Sequence, residues 1–368
     1  MFRSLFINLR NFDWILFGAV FLLLCFGLAA IYSIAISHNQ PDFGNFEKQL
    51  LFAGIGLAAV FILSLIDYRL WEDYSFFVYL GVGALLLLVI FFGVTVSGTT
   101  GWFSIAGFNF QPVELAKVAL IIFLAWFLST RGQEARSLKN FVLSALATGL
   151  FFLLVVLQPD FGSAMILFLI WMLLAIFAGV NIKYLAAVGL VLVISAVVAW
   201  FFLFADYQRD RIITFFNPQS DPYDTGYHVT QAITAVGAGG LTGRGLGFGS
   251  QSQLKFLPAS ETDFIFAVIA EELGFLGVSL VLFLWGVIFY RLIRAVQRSR
   301  DNFSTFFILG ASAIFFSHIF INVGMNVGIV PVTGISLPFV SYGGSFLVIS
   351  LAMIGIVEGM IIRNRSNA

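Results

Sequence analysis

The chain has 368 residues, of which 60% are apolar and only 10% charged, and its mean hydropathy is +1.00. Soluble domains carry about 25% charged residues, so this composition excludes a water-soluble globule and specifies a protein that crosses the membrane several times. Equal numbers of basic and acidic residues give no reason to expect a nucleic-acid partner, and the single Cys25 excludes an intramolecular disulfide and a thiolate metal cluster.

A spanning helix needs about 20 mostly apolar residues. Ten stretches pass: 13–36, 47–66, 74–96, 113–130, 141–157, 161–180, 184–204, 263–290, 303–327 and 338–362. The expected fold is therefore an all-α polytopic membrane protein of about ten transmembrane helices, a single integral membrane domain over 1–368. The first run is longer than the apolar core of a cleaved signal peptide. The fifth and sixth are separated only by Gln158-Pro159-Asp160, where proline breaks a helix; if they were one kinked helix, the parity would change.

An even number of spans puts both termini on one side. That side carries Arg3, Arg10, Arg69, Arg131, Arg136, Lys139, Lys183, Arg291, Arg294, Arg298, Arg300, Arg363 and Arg365. The other side has Lys48, Arg209, Arg211, Arg244 and Lys255, while Lys117 lies just inside a span. Basic residues mark the cytoplasmic side, so both termini are expected there and 205–262, between helices 7 and 8, becomes one long extracytoplasmic loop. Its second half is glycine-dense, with AGGLTGRGLGFGS at 238–250. That suits close backbone approach or positive φ as well as a tether, and it is not a P-loop. No repeat is visible, which counts weakly against a transporter built from two matched halves.

Ionisable and polar groups at membrane depth are costly and are usually kept for a purpose. Glu114 and Lys117 are i,i+3 neighbours after Pro112, either a structural ion pair or a cation held ready for a phosphate. Asp160 follows a helix break and suits a helix N-cap or a substrate or cation contact. Asp263 begins the eighth span beside Phe264 and Phe266, where it would N-cap the helix or, partly desolvated, act as a general base. Glu271 and Glu272 lie deeper and are expected to be paired inside the bundle. Pro331 to Ser345 reads as a bent entrance to the last span, with Ser341 and Tyr342 as polar handles. His318 is expected to make an interhelical hydrogen bond, and neither a zinc spacing nor GxSxG occurs.

These segments together resemble the SEDS family, the RodA/FtsW peptidoglycan polymerases. The stretches that carry the likeness are FQPVELAK (110–117), QPDFGSA (158–164), NPQSDPYDTGYHVTQA (217–232), LTGRGLGFGSQSQLKFLPASETDFIFAVIAEELG (241–274) and NVGMNVGIVPVTGISLPFVSYGGS (322–345). They recur in family order. SQSQLKFLP, Ala-Glu-Glu at 270–272 and NVGM at 322–325 look more like the RodA elongation branch.

The resemblance implies a glycosyltransferase that polymerises lipid II, an undecaprenyl-pyrophosphate-linked disaccharide-pentapeptide, on the outer face of the bacterial cytoplasmic membrane. It maps the catalytic aspartate to Asp263 and supporting residues to Glu114, Lys117, Asp160, Trp102 and Lys48. Lys117, Lys48, Arg209, Arg211 and Lys255, with or without a divalent cation such as magnesium or manganese, would neutralise the leaving pyrophosphate. No organic cofactor is implied. The implied partners are a class B penicillin-binding protein transpeptidase and other membrane proteins of the elongation complex.

Three positions depart from the family pattern. Gly101 stands before Trp102 where the family often has Arg, and Val113 replaces a usual Ser. Glu261 takes a place where His is common, two residues before Asp263, and would either tune Asp263 by like charge or help it hold a cation. The rival readings are a lipid II flippase and a non-catalytic scaffold for a cell-wall synthase. A flippase needs charged groups at several depths, whereas Glu114, Lys117, Asp160 and Asp263 are expected at one outer level.

Overall fold

The computed structural model describes residues 10–36, 41–96, 98–105, 108–202, 209, 213–214, 225–254 and 256–366. Ten apolar helices carry the fold: α1 Trp14–Ile36, α2 Gly44–Leu65, α3 Ser75–Phe92, α4 Pro112–Arg131, α5 Leu138–Val156, α6 Phe161–Phe177, α7 Ile182–Phe202, α8 Ile265–Arg298, α9 Asn302–Asn326 and α10 Gly344–Ser366. Among the described residues nine are long and apolar enough to cross a membrane. The tenth, α6, has 17 residues, about 25 Å at 1.5 Å per residue, and falls short of the bilayer core. It starts sharply because Asp160 caps it by accepting from the Ser163 amide at 3.0 Å. Gly179, with φ +74°, and Arg136, donating to the Ala178 carbonyl, close its other end. The Gln158-Pro159-Asp160 break thus separates two helices.

Helix α4 is the axis of the bundle, with its sides covered by α3, α6 and α9. From Val113 to Leu128 nearly every side chain is buried, which no amphipathic surface helix would need. Helix α10 packs along α2 at close range, since a Cβ on Gly355 would lie 2.9 Å from the Val60 backbone. Small residues of this kind allow the van der Waals contact that drives helix association in lipid. Helix α7 is the peripheral element, its apolar side chains exposed along its length. The start of α1 and the end of α10 lie together, because Arg365 donates to the Asn11 carbonyl at 2.7 Å.

Two features differ from the all-helical expectation. Residues Val94–Val96 (β1), Thr99–Ile105 (β2) and Phe108–Phe110 (β3) form an antiparallel sheet, with Val94 opposite Trp102 and Phe103 opposite Phe110. The third span therefore ends at Phe92, and the β-branched and aromatic run after it pairs as strands. The loop at 205–262 contains a helix, Thr225–Ala238, and a single turn, Ser250–Gln253, so its glycine-dense half is built structure.

That glycine segment repairs a broken helix. Gly274 (φ +66°) interrupts α8, which would leave backbone groups unpaired where water is scarce. The Arg244 and Gly245 amides donate to the Glu271 and Glu272 carbonyls at 3.0 and 2.9 Å, and the Phe275 and Leu276 amides donate to the Gly240 and Leu241 carbonyls at 2.9 and 3.1 Å. Two side chains fasten the same segment. Glu271 accepts from the Gln251 and Ser252 amides, and Glu272 accepts from Ser33, Gln253 and the Gly247 amide. Both carboxylates are buried inside the bundle as expected, where they accept from donors of this segment and of α1. A methyl on Gly243 (φ +78°) would lie 2.1 Å from the Glu272 carbonyl oxygen. Gly243→Ala should cost about 1–3 kcal/mol, read as a lower unfolding midpoint in detergent.

Candidate functional site

Asp263 sits in a tight turn before α8, with its amide donating to the Ala259 carbonyl at 3.1 Å. The N-cap of α8 is Phe264 without a side-chain bond, so Asp263 is not the N-cap residue of this helix. Its carbonyl accepts from Asn322 and Asn326, each at 3.0 Å. These two asparagines, one turn apart on α9, also hold the Ile335 carbonyl and the Ala267 amide. They were legible only as polar residues at i,i+4 in an apolar span, within a stretch valued for family likeness.

A second turn, 335–343, braces the first. Ser341 donates to the Thr262 carbonyl at 2.7 Å and accepts from the Leu337 amide at 2.8 Å. The Tyr342 amide donates to the Glu261 carbonyl at 2.8 Å, and Gln49 of α2 spans Ser341 and Gly343. Ser341 and Tyr342 are thus clamps on the Asp263 turn. Burial first, and then the Glu261 carboxylate, raise the Tyr342 phenol above its ordinary range, so it stays protonated. The two turns hold Ala259 and Phe339 at φ of 48° and 63°, left-handed conformations sustained by the amides of Thr262, Asp263 and Phe264 donating to the Ala259 carbonyl and by the burial of Phe339. Asn326→Ala would orphan the Ala267 amide and loosen the turn; the expected cost is about 1–3 kcal/mol, measured by unfolding in detergent.

The other expected residues reach the same region by separate routes. Asp160 caps α6 and accepts from Gln111 at 3.2 Å, which ties the QPD break to the start of α4. A Cβ on Gly162 would lie 2.8 Å from the Thr333 carbonyl, and a Cβ on Gly334 would lie 3.7 Å from Asp263 Oδ2. Residues 333–334 therefore connect the α6 end to Asp263. On α4, Lys117 Nζ is 2.8 Å from both Glu114 carboxylate oxygens and 3.1 Å from His318 Nε2. An ammonium has no lone pair, so His318 Nε2 accepts and Nδ1 donates to the Ser336 carbonyl at 3.0 Å. His318, expected only as a satisfied histidine, links the ion pair to the turn behind Asp263.

Elsewhere the expectations separate. Lys48 is exposed on α2, one residue from the inward Gln49. Trp102 lies on β2, and the Arg209 Nε donates to the Trp200 carbonyl of α7 at 3.0 Å. Arg211 and Lys255 lie outside the described residues. Gly101 is buried, where a Cβ would meet Gln158 Oε1 at 3.2 Å, and Val113 is in the core, so neither departure leaves a gap. Glu261 accepts from Asn45 at 2.6 Å. Among the described residues no three of His, Cys, Asp and Glu gather as a metal-ligand cluster.

The model of a family of cell-cycle proteins that groups FtsW, RodA and SpoVE matches residues 13–366. The chain belongs to this family. It is 34% identical over 368 residues to the probable peptidoglycan glycosyltransferase FtsW of Geobacter sp. (strain M18), covering 98% of this chain and 100% of that one. It is 37% identical over 330 residues to the peptidoglycan glycosyltransferase MrdB of Escherichia coli (strain K12), covering 89% of each. FtsW and MrdB relatives match to a similar degree, which places the chain in the family without choosing a branch. Of solved structures, a chain from a peptidoglycan synthase complex that coordinates polymerization and crosslinking superposes with a TM-score of 0.83 at 28% identity, covering 97% of this chain and 99% of that one. The rod shape determining protein RodA of Thermus thermophilus gives 0.71 at 28% identity, covering 96% and 97%.

Proposed function

We propose that this chain is a peptidoglycan glycosyltransferase that extends glycan strands from lipid II, with Asp263 as its general base. The observation that carries the reading is a carboxylate on a turn whose backbone is fixed from α9 and from the 335–343 turn. Such fixing from several sides is what positions a base within hydrogen-bond reach of its proton. Asp263 takes the proton from the 4-hydroxyl of one lipid II as that oxygen bonds to the anomeric carbon of the growing strand. The bond from that carbon to the pyrophosphate breaks with inversion, and the lipid pyrophosphate leaves.

The basic-residue asymmetry of the sequence supports cytoplasmic termini, which puts Asp263, a helix of 34 residues away from Arg298, on the outer face. With no side chain on Gly334 to crowd Asp263 Oδ2, the Asp263 carboxylate would hold a magnesium ion, which proteins bind through one or two carboxylates. Bound there, it would supply charge neutralisation for the leaving group. The partner we propose is a class B penicillin-binding protein, set against the exposed Phe283, Phe316 and Phe320 of α8 and α9. The test is polymerisation of labelled lipid II by the purified protein, with and without that partner and with magnesium or manganese. Polymer from the wild type establishes the activity. No polymer under any of these conditions would turn the reading to transport or scaffolding.

A further inference from the structure

At the end of the bundle away from Asp263 lies a cavity of 390 Å³ between α1, α8 and α10. Its charged lining is Asp13, Arg291, Arg294, Arg298, Arg300 and Arg365, five guanidinium groups against one carboxylate. The carboxylate is already committed. Asp13 accepts from Arg291 and, at 3.2 Å, from Arg365, and it also caps α1 through the Leu16 amide at 3.2 Å. Its backbone amide donates to the buried Glu358 at 2.9 Å. Arg294 and Arg298 do not share in holding Asp13. On α8 Arg294 follows Arg291 by three residues and Arg298 follows Arg294 by four, the spacings that share one helix side, and Arg294 lies 5.2 Å over the Tyr290 ring.

We propose that this cavity binds the phosphodiester headgroup of an anionic glycerophospholipid. Guanidinium forks recognise phosphate oxygens in a bidentate way, and basic cavities between transmembrane helices suit anionic headgroups. The flanking surface fits a lipid better than a soluble phosphate. Trp14 and Ile15 on α1, and Tyr290 and Ile293 on α8, are each about half exposed beside the arginines. Trp and Tyr of this kind sit at the membrane interface, and the apolar side chains beside them would carry the acyl chains. The site does not depend on the glycosyltransferase reading, since none of its residues touches the Asp263 turn.

The test is native mass spectrometry of the purified full-length protein in detergent, titrated with dioleoyl phosphatidylglycerol, dioleoyl phosphatidylcholine or inorganic phosphate. Wild type should bind phosphatidylglycerol more tightly than phosphatidylcholine, and the Arg294→Gln/Arg298→Gln variant should lose about 30-fold of that affinity. Arg298→Gln alone should lose about fivefold, and because it spares Asp13 and its two partners it keeps the test alive if the double variant misfolds. Lys139→Gln/Lys183→Gln removes two exposed charges elsewhere on the expected cytoplasmic side and should keep wild-type binding. Equal loss in both double variants, no preference for phosphatidylglycerol, or displacement of the lipid by equimolar inorganic phosphate would each overturn the proposal.

Discussion

Asp263→Asn should fold as the parent does and polymerise lipid II about 10²–10⁴-fold more slowly, the range that one positioned general base contributes. The turn around it is held through main-chain groups: the residue 263 amide bonds to Ala259, and its carbonyl accepts from Asn322 and Asn326. None of these bonds uses the carboxylate. An amide of the same shape therefore leaves the turn standing while removing the proton acceptor. Asp263→Ala should lose as much activity, and both variants should keep the wild-type unfolding midpoint within about 0.5 kcal/mol, as substitutions outside the packed core do.

The pH profile separates the base from its supports. If Asp263 takes the proton, wild-type kcat/KM rises as its carboxyl deprotonates, and the residual activity of Asp263→Asn lacks that limb. Asn326→Ala should slow the reaction yet keep the limb, because it displaces the base without removing it. An Asp263→Asn variant that polymerised at the wild-type rate would end the proposed mechanism, though not the family membership.

The spans were legible because each needs only local hydrophobicity, and the bounds of α1, α5 and α9 agree with it to within three residues at either end. Asp160 was also legible in its structural role, since an N-cap depends on residues within one turn. What escaped were pairings between distant parts of the chain. The glycine segment docks on the break at Gly274, where positive φ and close approach meet at positions some 30 residues apart in sequence. Glycine density alone is equally the mark of a tether. The sheet at 94–110 was missed because its first strand continues an apolar run without a break in composition. His318 was missed as a member of the site because its value lies in joining Lys117 on α4 to Ser336, which no spacing along α9 encodes.

That junction is the place for the second large effect. Lys117 and Glu114 have side-chain exposures of 2% and 8%, so the pair has been taken almost wholly out of water. Removing one member leaves the other charge buried without its counterion, which costs about 3–5 kcal/mol, whereas replacing both by apolar side chains of similar volume is often neutral. Glu114→Leu should therefore lower the unfolding free energy by about 3–5 kcal/mol, while Glu114→Leu/Lys117→Met recovers most of it. Recovery is incomplete to the extent that His318 Nε2 loses its donor, and adding His318→Phe to the double variant isolates that part. Polymerisation by the double variant then decides what the pair is for. If the protein is stable and still makes strands, the ion pair is a bundle fastener; if it is stable and inactive, the charge beneath the 333–336 segment contributes to the chemistry at Asp263. Equal destabilisation of the single and double variants would show that the pair is held by its hydrogen-bond geometry and not by charge balance.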